Sequence, residues 1–193
     1  MKPAFGVFCA ALCLLPAFAS AQQPFELGSY GPGQAIADAL RSAAGSDGAF
    51  VAGGLLKVST QKENLAGFVQ YPSDEIVVVT LTGQQLKQAF ERSLSVHPLP
   101  NSSFLQIAGF EVSFSGTSPV GQRVKSATAS GMPIDNSRTY TVAMPAMLGR
   151  GGFGYFKIWD KSNIEKTLTG VTVESVLRGK SASDSSPRWV PQG

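Results

Sequence analysis

The chain has one histidine, and its only cysteines are Cys9 and Cys13. Hydrolysis of phosphate esters by a two-metal clamp needs several His, Asp and Asn ligands converging on two ions. A single imidazole, His97, set against Pro98 in a loop, does not supply them, and no HExxH, DxH or paired-histidine spacing occurs. The same scarcity removes a Ser-His-Asp triad, which would have to run through His97 without a GxSxG elbow to present a serine. Charge is also sparse. Charged residues make up 15% of the chain, the net charge is +3, and no basic cluster stands out, which argues against nucleic acid or an anionic membrane as partner. No catalytic residue, metal ligand or cofactor site is expected.

Apolar runs long enough to cross a bilayer, about 20 residues, are missing as well. The longest lies at the start of the chain. Lys2, the apolar stretch 4–18 and then Ala19-Ser20-Ala21 follow the order of a secretory signal peptide, with cleavage expected after Ala21. Cys13 is preceded by Ala10-Ala11-Leu12, which is no lipobox. Cleavage leaves 193 − 21 = 172 residues without cysteine, so disulfides and thiolate metal sites are excluded from the exported protein. A periplasmic or extracellular location follows as an expectation.

What remains is patterned like one folded domain. At 43% hydrophobic the composition is that of a globule. Residues 34–44 read as a helix with Ile36, Leu40 and Ala43 on one face and Ala39 beside them, stopped by Gly45 and Gly48. Residues 49–52 are a short buried-strand candidate, and the β-branched run 76–81 is the clearest strand. Thr82-Gly83-Gln84-Gln85 is a capping-box pattern opening a helix over 83–95, with Leu86, Phe90 and Leu94 inward. Residues 110–115 alternate apolar and polar, and further strands are expected over 123–128 and 138–144 around a turn at 133–136. A short helix fits 172–179. The expectation is an α+β domain over 22–180, with mixed strands and two or three helices, followed by a flexible tail over 181–193.

Residues 149–154 satisfy GxGxxG by letter, but no helix start follows and no βαβαβ unit fits in the remaining chain, so a dinucleotide fold is excluded. The loop still lets backbone approach a ligand or another segment closely. Aromatic rings flank it: Phe153 and Tyr155 lie within and just after it, and Phe104 follows a polar loop. Such rings either sandwich a nucleobase or cover the edge of the core.

In that order the motifs resemble the C-terminal domain of 5′-nucleotidases and related UDP-sugar hydrolases, from about Ser29 to Lys180. Gly33-Gln34 through Ala39 is similar to the family's opening helix, and 47–54 to its strand ending in Gly-Gly. Residues 76–90 (IVVVTLTGQQLKQAF) match best; 104–109 (FLQIAG), 131–142 (GMPIDNSRTYTV) and 147–155 (MLGRGGFGY) follow at natural spacing. The resemblance implies a module that holds a nucleobase between two rings, while a separate metallophosphatase domain hydrolyses the ester. Carried over by position, Phe104 is implied as the first stacking ring, and Met147 stands where the second ring is usual. Phe153 replaces the aspartate of Gly-Gly-Asp-Gly beside Gly151 and Gly152, and Lys57 stands near a family arginine. A thioether has no aromatic face, and a lysine offers a point charge rather than a planar fork. Two readings follow: an exported recognition module for a nucleotide or nucleoside-like molecule that needs a separately encoded metallophosphatase, or a structural or protein-interaction domain that has lost nucleotide binding. A free-standing hydrolase has only the family name behind it.

Overall fold

The β-branched run is central because it has no polar face to offer water. In the computed structural model, which describes residues 24–183 and 186–192, it forms β2 (Glu75–Thr82), with Ile76, Val77, Val79 and Leu81 at most 1% exposed. β2 is flanked on both sides in a five-stranded sheet ordered β3-β1-β7-β2-β8, built with β1 (Gly48–Ala52), β3 (Leu105–Ala108), β7 (Thr139–Pro145) and β8 (Ile164–Thr172). Only the β1–β7 pair is parallel in that sheet. A second sheet runs β6-β5-β4-β9, from β4 (Phe110–Phe114), β5 (Val124–Ala129), β6 (Met132–Pro133) and β9 (Trp189–Pro191). Helices of up to 14 residues join the strands, and the class is α+β as expected.

Local chemistry explains the helix boundaries. α1 (Gly31–Ala44) begins earlier than residue 34 because Pro32 in the first turn fits a helix start, and Gly45 closes it in the left-handed conformation. Its buried stripe is Ile36, Ala37, Ala39 and Leu40; Ala43, expected inward, faces solvent. α2 (Gly83–Ser93) opens on the capping box: the Thr82 hydroxyl accepts from the Gln85 amide at 3.2 Å, and the Thr82 amide donates to Gln85 Oε1 at 2.9 Å. Leu86, Phe90 and Leu94 are fully buried. α3 (Ala146–Gly149) and α4 (Val173–Leu177) are short.

Gln106 shows how a buried polar group is made affordable. It is 0% exposed, and its amide group accepts from the Tyr30 N–H at 2.9 Å and donates to the carbonyls of Phe25 and Gly28 at 3.1 and 2.7 Å. These bonds pin the entry segment against β3.

One expectation fails at the chain's end. The segment after Ser181 is not frayed throughout. Trp189–Pro191 pair in parallel with β4, and Trp189 is 2% exposed among Phe90, Phe104 and Phe114. The strap is further held by an Arg188–Asp38 ion pair at 2.6 Å and by two amides donating to Ser29 Oγ at 2.9 Å. β8 also has no counterpart in the strand expectations. The signal peptide expected over 1–21 lies outside the described residues.

His97 is half-buried rather than exposed, its ring edge-on to Phe114 at 5.2 Å. Burial, and then the nearby Arg123 charge, lower its pKa below the ordinary histidine value. Since the folded state resists the imidazolium, the unfolded chain binds this proton more readily. This group's contribution is therefore full above the unfolded pKa and is lost as pH falls below it, through the folded value. A proton-NMR titration of the single imidazole should give a midpoint under that of a histidine model peptide; a midpoint at or above it would contradict the packing.

Candidate functional site

The turn after β1 is built from glycine because neighbours press on it: the Phe153 ring on Gly54, and the Glu26 side chain and Phe25 carbonyl on Gly53. The Gly53 and Gly54 amides donate to the carbonyls of Phe104 and Ser102 at 2.7 and 2.8 Å, which ties the turn to the loop before β3. The chain then runs on through Leu56 and Lys57, whose amide donates to the Phe68 carbonyl at 2.9 Å. Gln70 returns two bonds to this segment, from its amide to the Leu55 carbonyl and from Nε2 to the Leu56 carbonyl, both 2.9 Å. A cleft of about 340 Å³ opens here, with Lys57 and Glu26 on its wall and Gly53 and Gly54 at its base. Burial raises the pKa of Glu26. Lys57 is exposed, and no ion pair between the two forms among the described residues.

The glycine loop meets the cleft's Gly54 through Phe153. Asp74 Oδ2 accepts the Met147 amide at 2.9 Å at the start of α3, which fixes the loop's entry. Gly151 and Gly152 have structural reasons to be glycine: a Cβ would stand 2.7 Å from Phe156 Cα at the first and 2.6 Å from the Met147 carbonyl oxygen at the second. Phe153 sits at φ +56°, an unusual conformation for a bulky side chain. Arg92 Nη2 holds its carbonyl at 2.9 Å, and its ring lies over Gly54, where a Cβ would be 2.3 Å from Phe153 Cε1. The loop is backed by Tyr155, which stacks on Trp159 at 4.4 Å and donates to the Ser103 carbonyl at 2.6 Å. Burial pushes the Tyr155 phenol up, and it acts here as a neutral donor.

Of the residues singled out in the sequence, Lys57 lines the cleft and Phe153 lies over Gly54, while Met147, Gly151 and Gly152 belong to the loop that carries Phe153. Met147 is 38% exposed and Phe153 partly buried. Phe104 does not share that face. Its ring is 1% exposed and lies 4.8 Å from the Trp189 ring, so in this conformation it presents no stacking surface. Its carbonyl, not its ring, reaches the turn. Arg92 and Glu26 carry no sequence signal, whereas Asp74 lies in Ser73-Asp74-Glu75, which departs from the family pattern after Pro72. Among the described residues no group of three or more His, Cys, Asp or Glu could hold a metal ion, and no helix is long and apolar enough to cross a membrane.

Comparison with known proteins follows the same outline. A family model described as 5′-nucleotidase, C-terminal domain, matches residues 17–160. The trifunctional nucleotide phosphoesterase protein YfkN of Bacillus subtilis is 34% identical over 95 residues, covering 47% of this chain and 6% of that protein. The snake venom 5′-nucleotidase of Naja atra is 30% identical over 95 residues, covering 45% of this chain and 18% of the enzyme. Among solved structures, a 5′-nucleotidase precursor from Thermus thermophilus superposes with a TM-score of 0.72 at 21% identity, over 86% of this chain and 36% of that one. NAD nucleotidase of Haemophilus influenzae gives 0.63 at 16% identity, over 88% and 37%. The chain thus spans only a minor part of each of these relatives.

Proposed function

Since the chain belongs to the 5′-nucleotidase C-terminal domain family, we propose that it is an exported recognition module for a nucleotide or nucleoside-like molecule, with ester hydrolysis left to a separately encoded metallophosphatase. The observation that carries this reading is the open cleft at the Gly53–Gly54 turn. It offers an exposed cation, Lys57, and its Gly54 lies under the apolar ring of Phe153. A flat base can lie on that apolar side while an anionic group meets the lysine. One stacked contact contributes about 1–3 kcal/mol, and an exposed charge contact up to about 1 kcal/mol. Their sum corresponds to affinity of about 1 mM or weaker.

Titration of the purified chain with AMP, followed by amide chemical shifts, tests the reading. Shifts should map to residues 53–57 and 147–154, and Lys57→Ala should weaken AMP while leaving adenosine unchanged. No metal-dependent hydrolysis should accompany binding. If neither residues 53–57 nor 147–154 shift up to the solubility limit and adenosine moves no other amides, the second reading takes over for this cleft: a protein-interaction domain. Exposed Tyr71, Met147 and Phe156, at 46%, 38% and 63%, favour it.

A further inference from the structure

We propose that a second pocket, at the end of the β1–β3 ladder opposite the Gly53–Gly54 turn, binds a small oxyanion of the phosphate class through Arg41. The cavity is about 430 Å³ and is lined by Arg41, Gly109, Glu111, Thr128, Ser130 and Arg188, among others. β1 pairs antiparallel with β3, so Gly48 stands beside Gly109 at one end and Gly53 beside Phe104 at the other. Five residues of strand separate the two ends, roughly 17 Å. The inference therefore stands apart from the nucleotide reading of the first cleft.

Arg41 is prepared but not consumed. Its Nε donates to the carbonyls of Ser46 and Asp47 at 3.3 and 2.9 Å, which fixes the plane of the guanidinium. Among the described residues, neither a hydrogen bond nor an ion pair engages its two terminal amino groups, and they carry four N–H donors. Arg188, by contrast, is spent on the Ile107 carbonyl and Asp38, each at 2.6 Å, and serves as a rigid wall. Gly109 at φ +77° makes room: a Cβ there would stand 2.2 Å from the Asp47 carbonyl oxygen and 3.0 Å from Arg41 Nε.

The third wall is equally fixed. Ser130 and Gly131, at φ +50° and +81°, form the two-residue turn between β5 and β6, a pair of left-handed positions that Asn-Gly usually fills. The Ser130 amide donates to the Gly109 carbonyl at 3.2 Å, docking this tip on the β3–β4 turn. A fork of free guanidinium donors in a pocket that Thr128 and Ser130 also line matches an oxyanion that accepts two parallel bonds. Glu111 has no ion-pair partner among the described residues. Its carboxylate opposes the anion and limits affinity.

The test is an amide chemical-shift titration of the purified chain with inorganic phosphate at constant ionic strength. Shifts should centre on Gly109, Ser130 and Gly131. Arg41→Gln should weaken binding at least about tenfold, the loss of a charged hydrogen bond, and Arg41→Lys should weaken it less. Glu111→Gln should strengthen it. AMP producing the same shifts, with adenosine inert, would identify a phosphate monoester as an accepted source; AMP inert beside active phosphate would identify the free ion. The proposal is overturned if these amides do not move, if chloride at matched ionic strength moves them equally, or if Arg41→Gln binds as the parent does. Should Arg41→Gln fail to fold, unchanged or weakened binding in Glu111→Gln overturns it on its own.

Discussion

Phe90→Ala is expected to destabilise the fold by about 3–5 kcal/mol. Phe90 is fully buried on α2, and its ring touches three others edge-on: Phe50 on β1 at 6.0 Å, Phe110 on β4 at 6.0 Å, and Trp189 on β9 at 5.8 Å. Phe50 belongs to the five-stranded sheet and the other two to the four-stranded sheet. One side chain therefore joins both sheets to the helix, and truncating it leaves a cavity that neither sheet can close without shifting. Edge-to-face pairs add about 0.5–1.5 kcal/mol beyond area burial, so Phe90→Leu should recover much of the loss but not all. For a domain of this size each kcal/mol lowers Tm by about 2–4 °C, and the alanine variant should melt about 6–20 °C lower. Urea denaturation with an unchanged m-value and a loss under about 1 kcal/mol would place the ring outside the core.

The helix around Phe90 was legible because several local signals agree there. The capping box, the apolar spacing and the preceding β-branched strand all specify the same geometry, and the structure reproduces each. β4 was equally plain, since its buried and exposed residues alternate along one solvated face. β8 was not. It is an edge strand with two register irregularities against β2 and mostly exposed residues, so neither alternation nor a continuous apolar run survives in its sequence. Met132 and Pro133 are too few to announce a strand; β5 pairing alone makes them one.

For the candidate site residues the sequence carries order along the chain and not the orientation of the side chains. Motif order locates Phe104, the glycine loop and Lys57, but all four residues of β3 are buried. The strand that follows Phe104 therefore carries no alternation to say which way its ring turns. What decides the matter is Trp189, a single aromatic in a stretch rich in serine and proline. One buried residue makes no period, so its burial is settled by the cavity among Phe90, Phe104 and Phe114 rather than by its neighbours. Phe153 illustrates the complementary case. The sequence marks the replaced aspartate, but the ring's resting place over Gly54 depends on the left-handed backbone and the Arg92 bond.

Trp189→Ala should cost about 3–5 kcal/mol as well, in the range for a buried aromatic truncated in a core. The indole fills the space among three phenylalanines, and Nε1 donates to the Leu105 carbonyl at 2.8 Å, so truncation removes packing and a buried bond together. Trp189→Phe keeps a ring and loses the bond, which should cost about 1–2 kcal/mol. Because β9 lies at a sheet edge near the chain's end, its release is a local opening, and the total loss is bounded by the energy of docking the strap. A loss under about 1 kcal/mol for the alanine variant would show that the strap adds little to the cooperative fold. The variant also bears on the site, since removing the indole uncovers the Phe104 ring. If that ring is a stacking platform covered by its own chain, the Trp189→Ala protein should show adenosine-induced shifts around Phe104 that the parent lacks, and adding Phe104→Ala should erase them. Equal behaviour of the parent and the variant towards adenosine would leave Phe104 a core residue, held by the same cluster that holds the strap.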